Sequence, residues 1–147
     1  MGEVNGWVVV LAGVLALVLG FVWMSVIWKK PYRTHMYGLA KDVESVGLSK
    51  RAKIEAFVLY ILISMVTAFV YGWLLGIWKV AAPNVGMDGH SLGDATVFTL
   101  FVWAGLTWPF TFGKRLWQFK SWHVVAIDTS YELLRFMLFL VLFWTLG

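Results

Sequence analysis

Apolar residues fill four long stretches of the chain, separated by segments rich in charge or in turn-forming residues. The first covers 7–28 without a charge and has Trp7 and Trp28 at its ends, the side chains that favour a membrane–water boundary. The second covers 56–78, the third 95–112 and the fourth 124–146. A helix of about 20 apolar residues crosses a hydrocarbon layer about 30 Å thick. The pattern therefore predicts an all-α protein, a polytopic transmembrane four-helix bundle forming one integral membrane domain over 1–147. The first stretch does not fit a signal peptide, because it lacks a basic leader, runs too long and is followed by no clear cleavage site.

Local signals refine the ends. Ser49 fits the N-cap of the second helix, entered through Lys50 and Arg51. Ser91-Leu92-Gly93-Asp94 fits a capping box for the third, and Pro109 predicts a kink or an early stop near that helix's end. Between the first two spans, Met36, Leu39, Val43 and Val46 recur three and four residues apart, with Lys41, Glu44 and Ser45 largely opposite. That spacing predicts a short amphipathic helix over about 34–47, lying in the headgroup layer.

Composition agrees with a lipid environment. Of 147 residues, 61% are hydrophobic and 14% charged, against about a quarter charged in soluble domains. The net charge of +4 does not point to nucleic acid, because the basic residues are sorted by side of the membrane. Lys29, Lys30, Arg33, Lys41, Lys50, Arg51 and Lys53 precede the second span, and Lys114, Arg115 and Lys120 lie between the third and fourth. The opposite connection holds only Lys79. The positive-inside rule then places the basic loops in the cytoplasm and both termini outside, in a cell membrane. The 29–55 segment would attract anionic lipid. No cysteine is present, which excludes disulfides and thiolate metal sites.

Lipid is as apolar as Leu, so helices in a membrane associate through small residues that let backbones approach. Ser64, Ala68, Gly72 and Gly76 form such a ribbon on the second span, and Ala12, Ala16 and Gly20 form one on the first, with Gly13 beside them. These faces predict close helix contacts, either within one chain or between copies. The third span carries Thr96, Thr99, Trp103, Thr107 and Thr111 on one face, readable as local bonding to helix carbonyls or as a polar wall.

The main chemical anomaly is on the fourth span. Asp128, Tyr131, Glu132 and Arg135 share one helical face, with Arg135 near mid-membrane. An arginine there costs at least about 2.5–3.5 kcal/mol by insertion scales unless it is paired or hydrated. Glu132, one turn away, is the local partner. Two readings stay open: a staple that fixes helix register or joins a partner, and an ion, proton or polar-solute site opening toward the cytoplasm. His35, His90 and His123 all lie outside the spans, so neither a bundle haem nor a metal site is expected, and no cofactor. No nucleophile–base set or phosphate-binding loop occurs, which disfavours an enzyme.

Several short motifs resemble the family called domain of unknown function 1761, small prokaryotic proteins with about four spans. They are Gly20-Phe21-Val22-Trp23-Met24-Ser25, Gly47-Leu48-Ser49, Trp103-Ala104-Gly105-Leu106 and the ending from Trp122 through Ile127-Asp128-Thr129-Ser130-Tyr131 to Trp144. Met24 stands where the family usually has Tyr. The resemblance implies a compact membrane bundle and brings no activity or site residue with it. The first expectation is a non-enzymatic membrane protein acting through helix association, as a homo-oligomer or an accessory subunit. The alternative is a small oligomeric channel or transporter that uses the polar face of the fourth span.

Overall fold

The structure, a computed structural model, describes residues 4–31, 50–118 and 121–147. The amphipathic segment expected over 34–47 and the Ser49 cap lie outside the described residues, as does most of the basic segment that precedes the second span. Among the described residues the fold is all-α with no strand, built on four long helices. They are α1 (Gly6–Val22), α2 (Lys50–Ala81), α3 (Leu92–Gln118) and α4 (Trp122–Thr145). Three stretches are long and apolar enough to cross a membrane: Gly6–Ile27, Phe57–Val85 and Leu92–Gly113. At 24 residues, α4 is about 36 Å long, enough to span as well, but it carries Asp128, Glu132 and Arg135 inside it.

Each helix begins and ends for local reasons. Asn5 caps α1 by accepting from the Trp7 N–H, and Ser121 caps α4 by accepting from the Val124 N–H. A single π-helical turn, Trp23–Ile27, extends α1, with the Trp28 N–H donating to the Trp23 carbonyl. At the start of α3 only half of the expected capping box forms. The Ser91 hydroxyl accepts from the Asp94 N–H, but the Asp94 carboxylate accepts from the Asp88 N–H at 2.7 Å. The side chain thus ties down the preceding loop rather than its own cap residue.

Pro109 does not stop α3, which continues to Gln118. In lipid a helix is the only way for a single segment to satisfy its own backbone, so ending it early would leave more groups unmet than one missing N–H does.

The helices pack as two antiparallel pairs with α4 at the centre. Gly13 of α1 lies against Met65 and the Ile61 carbonyl of α2, and Gly20 lies over Tyr60. Ala12, Ala16, Ser64 and Ala68 are fully buried. The α2 ribbon then divides: Gly72 faces Phe143 of α4, while a side chain at Gly76 would meet no atom within 4 Å. Tyr71 joins three helices, packing on Phe136, Phe139 and Phe143 and sharing a 2.7 Å hydrogen bond with Thr99 of α3. On α4, Trp103 of α3 donates to the Thr129 carbonyl and Tyr131 donates to the Ala16 carbonyl of α1. At the far end of the bundle the Asn5 amide donates to the Leu146 carbonyl, which brings the start of α1 and the end of α4 together.

The distribution of polarity is inverted relative to a water-soluble fold. Val14, Phe21, Leu59, Val66, Phe69, Phe101, Phe110 and Val141 point outward, while Ser64, Thr99, Thr111, Asp128 and Arg135 are buried. Soluble monomers rarely expose contiguous apolar surface on this scale. The outward apolar side chains and the three apolar helices together make this an integral membrane protein.

Candidate functional site

Spacings of three and four residues put Asp128, Tyr131, Glu132 and Arg135 on one face of α4, and the fold turns that face inward. Arg135 is 9% exposed and Asp128 5%. The Arg135 guanidinium contacts the Glu132 carboxylate at 2.5 Å. It also sits 5.8 Å from the centre of the Tyr131 ring, within cation–π range. Arg135 is therefore covered by the chain's own helices, while 22% of the Glu132 side chain stays accessible.

Other helices complete the surroundings. A side chain at Gly20 would meet the Tyr60 and Tyr131 hydroxyls at 3.1 and 3.2 Å, so the two phenols converge above α1. Tyr60 feels both Arg135 and Glu132 electrostatically and lies beside the Arg135 and Ser64 side chains. The Tyr60 hydroxyl makes only weak hydrogen bonds to those two side chains, and the Ser64 hydroxyl and the Arg135 Nε–H are buried without a well-aligned one. The result is a cluster of polar groups from α2 and α4, packed against Gly20 of α1 and centred on the ion pair. Asp128 lies one turn nearer the start of α4. Its neighbour Ile127 offers a carbonyl to the Trp23 indole at 3.2 Å, so the π turn of α1 is fastened next to it.

Sequence reasoning placed Ser64 in a packing ribbon and overlooked Tyr60. A spacing of four residues on α2 puts both on one face, but only the fold reveals that this face meets Arg135. Of the other ribbon members, Ala16 touches the cluster through its carbonyl, which accepts from Tyr131, while Ala12, Ala68 and Gly72 lie at helix contacts outside it.

The threonines of α3 are otherwise engaged. Thr96, Thr99 and Thr111 donate to the carbonyls of Leu92, Ala95 and Thr107 on their own helix. Thr107 is buried as well. Two recesses flank α3. One, of about 360 Å³, lies against α4 between Trp103, Trp108, Phe112 and Trp122, and the other, of about 200 Å³, lies against α2 between Val66, Val70, Val102 and Leu106. Neither is lined by Thr96, Thr99 or Thr107. Among the described residues no three His, Asp or Glu side chains come together as a metal site.

The chain matches the family model for the protein of unknown function DUF1761 over residues 7–143. It belongs to that family. The match covers all four long helices of this DUF1761 protein almost completely and contains the whole polar cluster. No curated protein and no solved structure matches the chain.

Proposed function

We propose that this DUF1761 protein is a non-enzymatic four-span protein of the cell membrane that moves a small polar species or a proton through the cluster around Glu132 and Arg135. In this reading α4 is the fourth span, both termini face outward and the basic loops, able to hold anionic lipid, face the cytoplasm. The Asn5–Leu146 hydrogen bond supports termini on a common side. The observation that carries the functional part is the set of buried polar atoms at Tyr60, Ser64 and Arg135, which make no well-aligned hydrogen bond and only weak contacts with one another. Leaving such a group unsatisfied costs about 1–3 kcal/mol. A staple that only held helices together would lose stability by keeping three of them, whereas a site that exchanges its ligand needs them. Glu132 is about 15 Å along α4 from Trp122, with Asp128 as a step between, which favours access from the cytoplasmic end.

Flux tests this reading. In reconstituted vesicles the protein should pass protons or small ions in response to a gradient, and Glu132→Gln should reduce the rate at least about a hundredfold, the lower end of what a positioned proton-transfer group contributes. Flux indifferent to that change would reject the assignment.

Association is the second reading, and one observation favours it: Gly76 is part of the α2 ribbon, but a side chain there would meet no atom within 4 Å among the described residues. If copies of the protein meet there, Gly76→Leu should dissociate an oligomer in mild detergent and leave the subunit's stability unchanged. Gly72→Leu should instead lower subunit stability by about 1–3 kcal/mol, because its side chain would press on the Phe143 ring. A Gly76→Leu protein that sediments like the wild type would remove the support for this interface.

A further inference from the structure

We propose that the recess between α3 and α4 holds one acyl chain of an anionic phospholipid from the cytoplasmic leaflet. The inference rests on the proposed topology, with α4 as the fourth span and the basic loops in the cytoplasm. It is independent of what passes through the Glu132–Arg135 cluster, none of whose residues lines this recess of about 360 Å³. The space exists because its two walls are unevenly built. On α4 it is bounded by the small side chains of Ala126, Thr129 and Ser130, and on α3 by the rings of Trp103, Trp108 and Phe112. Those rings meet each other and Trp122 edge to face instead of filling the space over Ala126, with centres 5.6 Å apart for Trp103–Trp108 and 5.9 Å apart for Trp108–Phe112 and Phe112–Trp122. The hydroxyls are used within α4: Thr129 donates to the Val125 carbonyl and Ser130 to the Ala126 carbonyl. The Trp103 indole is used as well, on the Thr129 carbonyl. The surface left for an occupant is therefore mainly apolar.

Length and charge identify the occupant. From Trp122 to Leu133 the recess follows α4 for about 16 Å, close to half of a hydrocarbon core of about 30 Å and so to the depth of one leaflet. Trp108, Phe112 and Trp122 are all exposed, so a chain can enter sideways from the bilayer. The cytoplasmic end is basic. Lys114 and Arg115 belong to the last turns of α3, just beyond Phe112, and from Ala95 to Ile127 the sequence has no acidic residue. A phosphate headgroup at that level meets positive charge supplied by the same pair of helices whose recess takes its chain, the pattern by which basic sites between membrane helices hold anionic lipids. A second copy of the protein fits less well, because copies inserted in the same direction would bring two such basic ends together at one depth.

The experiment supplies the full chain, in mild detergent, with equal amounts of phosphatidylglycerol and phosphatidylcholine and reads the bound lipid by native mass spectrometry. One phosphatidylglycerol should stay bound in preference to phosphatidylcholine. Changing Lys114→Gln and Arg115→Gln together should lower that preference about thirtyfold, the combined effect of two basic side chains beside anionic lipid. Ala126 is exposed on the α4 wall, so Ala126→Leu builds into the recess and should abolish retention. Helix content and monodispersity are checked for each variant. Equal retention of the two lipids by the wild type, or a preference indifferent to the two charge changes, would overturn the anionic lipid at this site. A folded Ala126→Leu protein that keeps its lipid would overturn the recess as the place it sits. A wild type that retains no lipid would overturn the proposal, and if it forms a dimer that Ala126→Leu dissociates, the occupant is a second copy. None of these results depends on flux through Glu132, so the transport reading stands or falls separately.

Discussion

An Arg135→Met protein is expected to be less stable than the wild type by about 3–5 kcal/mol, the cost of removing one partner from a buried ion pair. Most of that loss comes from what remains. The Glu132 carboxylate would keep its position between helices without the guanidinium that contacts it at 2.5 Å, and Tyr131 would lose the cation near its ring. Pairing the change with Glu132→Leu should restore much of the stability, because two apolar side chains leave no charge to compensate. Unfolding of the two single variants and the double variant in mixed micelles gives the coupling energy directly. Additive losses would mean that the two side chains do not depend on each other. The double variant also separates two roles of the pair: it should be stable and should carry no flux, whereas a purely structural pair would be replaceable without functional loss.

The parts of the molecule legible in the sequence are those governed by short-range rules. Helical runs of apolar residues, the Ser91 cap of α3, and the contact between Glu132 and Arg135 all depend on neighbours within one turn. The all-α class and the family follow from the same local patterns. What the sequence concealed arises between helices. Nothing in the spacing of Tyr60 and Ser64 indicates that their face meets α4, because in lipid no contrast of polarity tells one apolar helix face from another. The course of α3 past Pro109 was hidden for a related reason, since a rule learned from helices in water gives proline more breaking power than it has in a bilayer. At Asp94 the competing partner was the Asp88 N–H, a loop group whose position no capping pattern specifies.

That loop yields the other large effect. Gly89→Ala is expected to destabilise the protein by about 3 kcal/mol, at the upper end of ordinary overpacking. A methyl group at Gly89 would overlap the Lys79 carbonyl, and the next nearest atoms are also Lys79 backbone, so no side-chain rotation can make room. Lys79 belongs to the last turn of α2, and its ammonium lies 5.0 Å from the Trp144 ring of α4. Displacing it would disturb the end of two helices together with the fully buried Ala82 that follows. Gly93→Ala provides the contrast. Its methyl group would meet the Ser91 hydroxyl at 3.5 Å, an ordinary contact, in the first turn of α3. Alanine there should raise stability by up to about 1 kcal/mol, because it restricts the unfolded chain and favours the helix. Thermal unfolding in one detergent should therefore shift the two variants in opposite directions. Equal shifts would mean that the α2–α3 connection does not hold Gly89 against the Lys79 backbone.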